Sequence, residues 1–169
     1  MFDIVSIISW CRKTFNARDL AIISFLISAY FLTRLINLDQ FPIFGDEGIY
    51  IRWAKVAWHD ANWRFISLTD GRQPLQTWAT IPFLKLFPDN ALLAGRLFGV
   101  ACGFVGLSGL FCTLLYLFGK KTAIIGALLF ILTPYFLFYD RMALMDSGIT
   151  AGVIWMFFFS LLLARTRRL

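Results

Sequence analysis

The chain has 169 residues, of which 59% are hydrophobic, 18% aromatic and only 15% charged, with a mean hydropathy of +0.72. A soluble domain is about a quarter charged, so this composition, gathered in long apolar runs, excludes an ordinary water-soluble domain and reads as an all-α polytopic membrane protein. The net charge of +6 does not indicate nucleic acid: half of the sixteen basic residues (Arg12, Lys13, Arg18, Lys120, Lys121, Arg165, Arg167 and Arg168) flank apolar runs and carry topology instead.

Residues 1–19 are read as a cytoplasmic interfacial segment, with a short helix on the membrane surface. Basic residues follow the apolar stretch Ile4 to Trp10, the reverse of a cleaved signal peptide. The first predicted span is 20–38 and stays as a signal anchor. Residues 39–90 form an outer loop. The remaining predicted spans are 91–118, 122–139 and 146–164, about four transmembrane helices in all, since each run approaches the ~20 residues a crossing needs. Helices are required because an open strand leaves backbone groups unpaired in lipid. The N-terminal bases, Lys120-Lys121 and the Arg165-Thr166-Arg167-Arg168 tail then share the cytoplasmic side. Reading 75–87 as a further span would invert everything downstream.

The outer loop holds amphipathic juxtamembrane helices. After Gly48, residues Ile49, Trp53, Val56 and Ala57 recur at helical spacing, with Trp53, Trp58 and Trp63 as interfacial anchors. Thr69-Asp70-Gly71 signals a turn. Leu75 to Phe87 reads as a second juxtamembrane or re-entrant helix. In the second span, Gly95, Gly99 and Gly103 recur every four residues and predict a face for close packing of another helix.

Candidate chemistry lies on the outer side. Asp46 and Glu47 open the loop. Asp46 is a preferred helix cap, with Glu47 favourable in the first turn; the functional alternative makes Asp46 a general base. Asp146 opens the fourth span, again as a cap or as an acid opposite Asp46. Arg72 and Arg96 are the candidates for phosphate, which a guanidinium fork suits. Arg141 and Arg34 are read as side chains that snorkel toward headgroups. Three cysteines and a single histidine at non-ligand spacings give no disulfide framework and no metal site.

The order of these features resembles the N-terminal portion of the GT-C glycosyltransferases, among them protein O-mannosyltransferases, lipid A aminoarabinose transferases and RgtA/B/C/D-like sugar transferases. Asp46, Glu47 and Tyr50 fit an Asp-Glu-x-x-Tyr motif. Gly71-Arg72-Gln73-Pro74-Leu75 fits loosely a Gly-x-x-x-x-Lys-Pro-Pro-Leu-like stretch, with Arg72 in place of Lys and Gln73 in place of one Pro. Ala94-Gly95-Arg96-Leu97 and Arg141-Met142-Ala143-Leu144-Met145-Asp146-Ser147 complete the series. The resemblance implies inverting transfer of a sugar from a polyprenyl-phosphate carrier to a glycan, lipid or protein acceptor at the outer face of a plasma (inner) membrane, or of the ER. Asp46, Glu47 and Asp146 would be the catalytic acids, and Tyr50, Arg72, Arg96 and Arg141 would bind substrate. No cofactor, metal or nucleic acid is expected. Family members run to several hundred residues, so the chain is expected to be their N-terminal portion, its Gly95/Gly99/Gly103 face awaiting helices from elsewhere. A non-catalytic membrane subunit or scaffold is the alternative.

Overall fold

The computed structural model describes residues 15–166. The expected interfacial helix of residues 1–19 lies for the most part outside the described residues. Among the described residues seven α-helices occur in chain order: α1 Ala17–Leu35, α2 Glu47–His59, α3 Leu75–Leu86, α4 Ala91–Phe118, α5 Lys120–Leu132, α6 Pro134–Tyr139 and α7 Asp146–Thr166. Two short 3-10 turns, Ala61–Trp63 and Ile66–Asp70, join α2 to α3. Among the described residues there is no strand.

Helix α4 is the mast. Its 28 residues reach roughly 42 Å at 1.5 Å per residue, more than the ~30 Å hydrocarbon layer. α4 and α7 are the two helices among the described residues that are long and apolar enough to cross a bilayer. α1 carries three charges, Arg18, Asp19 and Arg34. The expected third span is broken: α5 stops at Leu132, because Pro134 cannot continue its hydrogen-bond ladder and starts α6 instead. Helix α3 has only 12 residues, too few to cross, so the reading that would invert the topology finds no span at 75–87. The chain is an all-α membrane protein.

α1 starts on a capping box. Asn16 Oδ1 accepts from Asp19 N at 2.8 Å and Asn16 N donates to Asp19 Oδ2 at 3.2 Å. Lys120 then grips the same Asp19 carboxylate at 2.6 Å, tying the start of α1 to the α4–α5 junction. Arg165 reaches Tyr116 Oη at this same end. At the middle, Leu26 and Tyr30 of α1, Val100 and Leu107 of α4, and Ala127, Phe130 and Ile131 of α5 close one core. At the far end, Ile51 and Ala54 of α2, Leu84 of α3, Ala94 of α4 and Ala143 close a second. Outward apolar side chains on α7, such as Ile149, Val153 and Met156, cost nothing in lipid.

The glycine row of α4 differs from expectation. It is filled from within the chain, and in its upper part by a loop, the 140–145 connection between α6 and α7. A Cβ on Gly95 would meet Ala143 Cβ, one on Gly99 the carbonyl of Met142, and one on Gly103 the Asp140 carboxylate and the Tyr30 hydroxyl. Lower down, Gly106 faces Ala151 and Gly109 faces Ile154 and Trp155, so α7 packs there. Small residues thus admit backbone as well as helix.

Candidate active site

Helix α2 is turned relative to the predicted phase. Its buried stripe is Glu47, Ile51, Trp53, Ala54 and Ala57, while Ile49 is exposed. Trp53 is therefore a core residue and not an interfacial anchor. The phase is set by Glu47, which is fully buried against Arg96. Burial by itself raises a carboxyl pKa. Here the Arg96 guanidinium and the amides of Ala143 and Phe44 outweigh it and hold Glu47 below its ordinary value.

Every polar valence of this pair is used. Arg96 Nε donates to Glu47 Oε1 at 2.9 Å and Nη2 to Glu47 Oε2 at 2.8 Å. Nη1 donates to the carbonyls of Leu38 and Phe41, and Nη2 also to that of Pro42. A guanidinium has five N–H groups, and all five are taken. Glu47 in turn accepts from Ala143 N at 2.8 Å and Phe44 N at 2.8 Å. Neither side chain has surface to offer a substrate. Arg96 was expected at phosphate and Glu47 among the catalytic acids; in the structure both are turned inward and hold the outer loop.

A second buried network was not read from the sequence. Asp140 Oδ1 accepts from Ser147 Oγ at 2.8 Å, and Oδ2 from Tyr30 Oη and Arg34 Nε, each at 3.4 Å. Arg34, read as a snorkelling residue, is fully buried and also donates to the carbonyls of Ile131 and Phe130. Burial raises the Asp140 carboxyl pKa more than Ser147, Arg34 and Tyr30 lower it. Arg141, expected at the substrate or the headgroups, is engaged with the end of α1. Its guanidinium lies over the Phe41 ring and donates to Thr33, Ile36 and Asn37 carbonyls, closing the C-terminal end of α1. The only signal for these partners was the presence of Arg34 and Asp140 at the edges of apolar spans.

The remaining candidates behave differently. Asp46 occupies the cap position of α2, but its side chain makes no capping bond, and it is exposed. Asp146 heads α7 half-buried. Arg72 is exposed just past Gly71, whose φ of +69° turns the chain back toward α3. Among the described residues, none of these three side chains has an ion-pair partner. Tyr50, one turn along α2 from Asp46, is within electrostatic reach of Arg72, Asp46, Asp146 and Asp70. Burial, and after it these acids, raise its hydroxyl pKa despite Arg72. The structure thus brings Asp46, Arg72 and Asp146 within electrostatic reach of Tyr50 and adds Asp70, which sequence reading treated only as a turn residue. No group of three His, Cys, Asp or Glu side chains converges for a metal among the described residues.

Arg72 and Gln73 stand at the mouth of a cavity of about 760 Å³ between α3, α4 and α7. Its walls are nearly all apolar, with Phe83, Phe98, Val105 and Trp155 among them, and Gly148 and Gly152 line its α7 side. A guanidinium over an apolar slot suits an amphiphile with an anionic head.

No curated protein and no solved structure matches the chain. A family model described as dolichyl-phosphate-mannose-protein mannosyltransferase matches residues 72–169, more than half of it. That segment carries Arg72, the cavity, Asp140 and Asp146. With its helical membrane architecture and this match, the chain belongs to the dolichyl-phosphate-mannose-protein mannosyltransferase family of GT-C-type membrane glycosyltransferases.

Proposed function

We propose that the chain transfers a sugar from a polyprenyl-phosphate donor to an acceptor hydroxyl at the outer face of a plasma membrane, with inversion. The single observation that carries this reading is an unpaired carboxylate, Asp46, within electrostatic reach of the same Tyr50 as an unpaired guanidinium, Arg72, at the mouth of an apolar cavity. The donor's isoprenoid chain lies in the cavity and its phosphate meets Arg72. Asp46 accepts the proton of the acceptor hydroxyl as the sugar–phosphate bond breaks. Asp146 and Asp70 offset the positive charge that develops on the sugar. Tyr50 hydrogen-bonds the sugar or the phosphate. The basic groups at the Lys120 end face the cytoplasm, which puts the Asp46 end outside.

The test uses the protein in proteoliposomes supplied with radiolabelled polyprenyl-phosphate mannose, glucose or aminoarabinose. Label entering the lipid, glycan and protein fractions is counted. Asp46→Asn is expected to lower transfer by about 10²-fold or more with unchanged thermal stability. Full transfer by a folded Asn variant would refute the assignment.

A further inference from the structure

Asp46 and Asp146 lie far apart in sequence, at the N-terminal ends of α2 and α7. Each is followed by a buried hydrogen-bonding residue, and both of those residues bind the same short segment. Glu47 Oε1 accepts from Ala143 N at 2.8 Å. Ser147 Oγ donates to Asp140 Oδ1 at 2.8 Å. Between these two bonds, Met142, Ala143 and Leu144 are buried. The segment is seated on α4 at Gly95, Gly99 and Gly103, where backbone and side-chain atoms fill the space a Cβ would take. Asp140 is anchored further by Arg34, and the Tyr30 hydroxyl, whose one proton is shared between Val100 O at 2.8 Å and Asp140 Oδ2 at the longer 3.4 Å, lies against it.

From this geometry we propose that residues 140–147 form a shared mount that sets the separation between Asp46 and Asp146, with Ser147 and Asp140 as positioning residues. The proposal rests on the reading of Asp46 and Asp146 as site residues. The physical reason is stiffness. A short exposed loop leaves two helix ends free to shift, whereas a segment pinned at both ends and keyed into a glycine groove has a single packed arrangement. Displacing reacting groups by about 1 Å can cost ~10²-fold in rate. Neither Ser147 nor Asp140 reaches the site surface, as both are buried; they act through their neighbours.

Two measurements on the full membrane-embedded protein test this. In the first, spin labels are placed at Ile49 and Ile149, both exposed at 45% and 59%, with the native cysteines changed to alanine, and the distance distribution is recorded by pulsed EPR. The parent is expected to give one narrow distance and Ser147→Ala a broadened or shifted one. Tyr30→Phe, which removes an Asp140 partner without touching α7, is the milder variant and is expected to move the distribution in the same way. In the second, Ser147→Ala is expected to lower kcat about 10-fold with the donor KM unchanged, and to have no further effect in an Asp146→Asn background. Purely structural damage would instead act equally in both backgrounds. An unchanged distance distribution in both variants, a parental kcat in an active Ser147→Ala protein, or additive losses with Asp146→Asn would overturn the proposal. A parent that transfers no sugar refutes the glycosyltransfer reading, and the distance measurement still decides whether the mount exists.

Discussion

Glu47 and Arg96 enclose one another completely, with both carboxylate oxygens and all five guanidinium N–H groups engaged. The pair ties Arg96 of α4 to the start of α2, to the carbonyls of Leu38, Phe41 and Pro42 just before it, and to the distant amide of Ala143. A buried ion pair of this kind adds little net stability relative to an apolar substitute, but removing one partner leaves a charge stranded, at a cost of about 3–5 kcal/mol. Glu47→Gln and Arg96→Leu are each expected to lower the unfolding temperature and the yield of monodisperse protein. Arg96→Lys should fail nearly as badly, because an ammonium lacks the fork that serves five acceptors. Fluorescence-detected thermal unfolding in detergent checks this, and normal stability of Arg96→Lys would contradict it.

The same pair predicts a pH dependence of definite sign. Glu47 has a lower pKa in the folded protein than its ordinary value of 4.5. Its contribution is therefore fully present above that value and is lost as the pH falls through the folded one. Asp140 has the opposite sign: its pKa is raised from 3.8, so its contribution declines as the pH rises from there. The unfolding temperature of the parent, followed from pH 7 downward, should drop more steeply below about pH 4.5 than that of Glu47→Gln. Parallel curves would mean that Glu47 is not the group responsible.

Two glycines on the same helix should respond oppositely to alanine. On Gly99 a new Cβ runs into the Met142 carbonyl, which is backbone and cannot swing aside. Gly99→Ala is expected to destabilise by about 1–3 kcal/mol. On Gly106 the nearest atom is 3.6 Å away, ordinary contact, and alanine has the better helix propensity by about 1 kcal/mol. Gly106→Ala should be neutral or stabilising. The two variants measured side by side by thermal unfolding decide the point.

The cavity offers a specificity test. A Cβ on Gly152 meets nothing within 4 Å, so Gly152→Leu is expected to fold normally while filling the slot between α4 and α7. If an isoprenoid chain lies there, the variant should raise the donor KM about 10-fold or more, with long-chain donors more affected than short-chain ones. A lost apolar contact worth about 1.4 kcal/mol corresponds to a factor of ~10. Equal KM values for both chain lengths would place the donor elsewhere.

Arg72 is expected to act on the donor's phosphate alone. Its side chain has no ion-pair partner among the described residues, so Arg72→Ala should leave stability unchanged and weaken donor binding or turnover. Arg72→Lys should restore part of the loss, since an ammonium keeps the charge but not the bidentate fork. Steady-state kinetics with unfolding controls separate the two effects, and a parental rate for Arg72→Ala would remove Arg72 from the site.

By itself, the sequence determined the class of molecule. Long apolar runs can only be helices in lipid, and the order of motifs pointed to the GT-C family. Those features are local and depend on solvent and backbone, so they survive without knowledge of partners. Only the tertiary structure decided which charges are sealed inside the fold and which remain exposed. Asp46 and Glu47 are neighbours in sequence, yet a turn of helix α2 leaves one exposed and buries the other against Arg96. Arg34 read as a snorkelling side chain, yet it is sealed against Asp140, while Arg72, read as a phosphate candidate, stands exposed at the cavity. The glycine row likewise announced close packing but not whether a helix or the 140–145 loop would fill it. A charge's role is set by the polar partners it meets in space, and those partners lie tens of residues away along the chain, beyond what spacing can report.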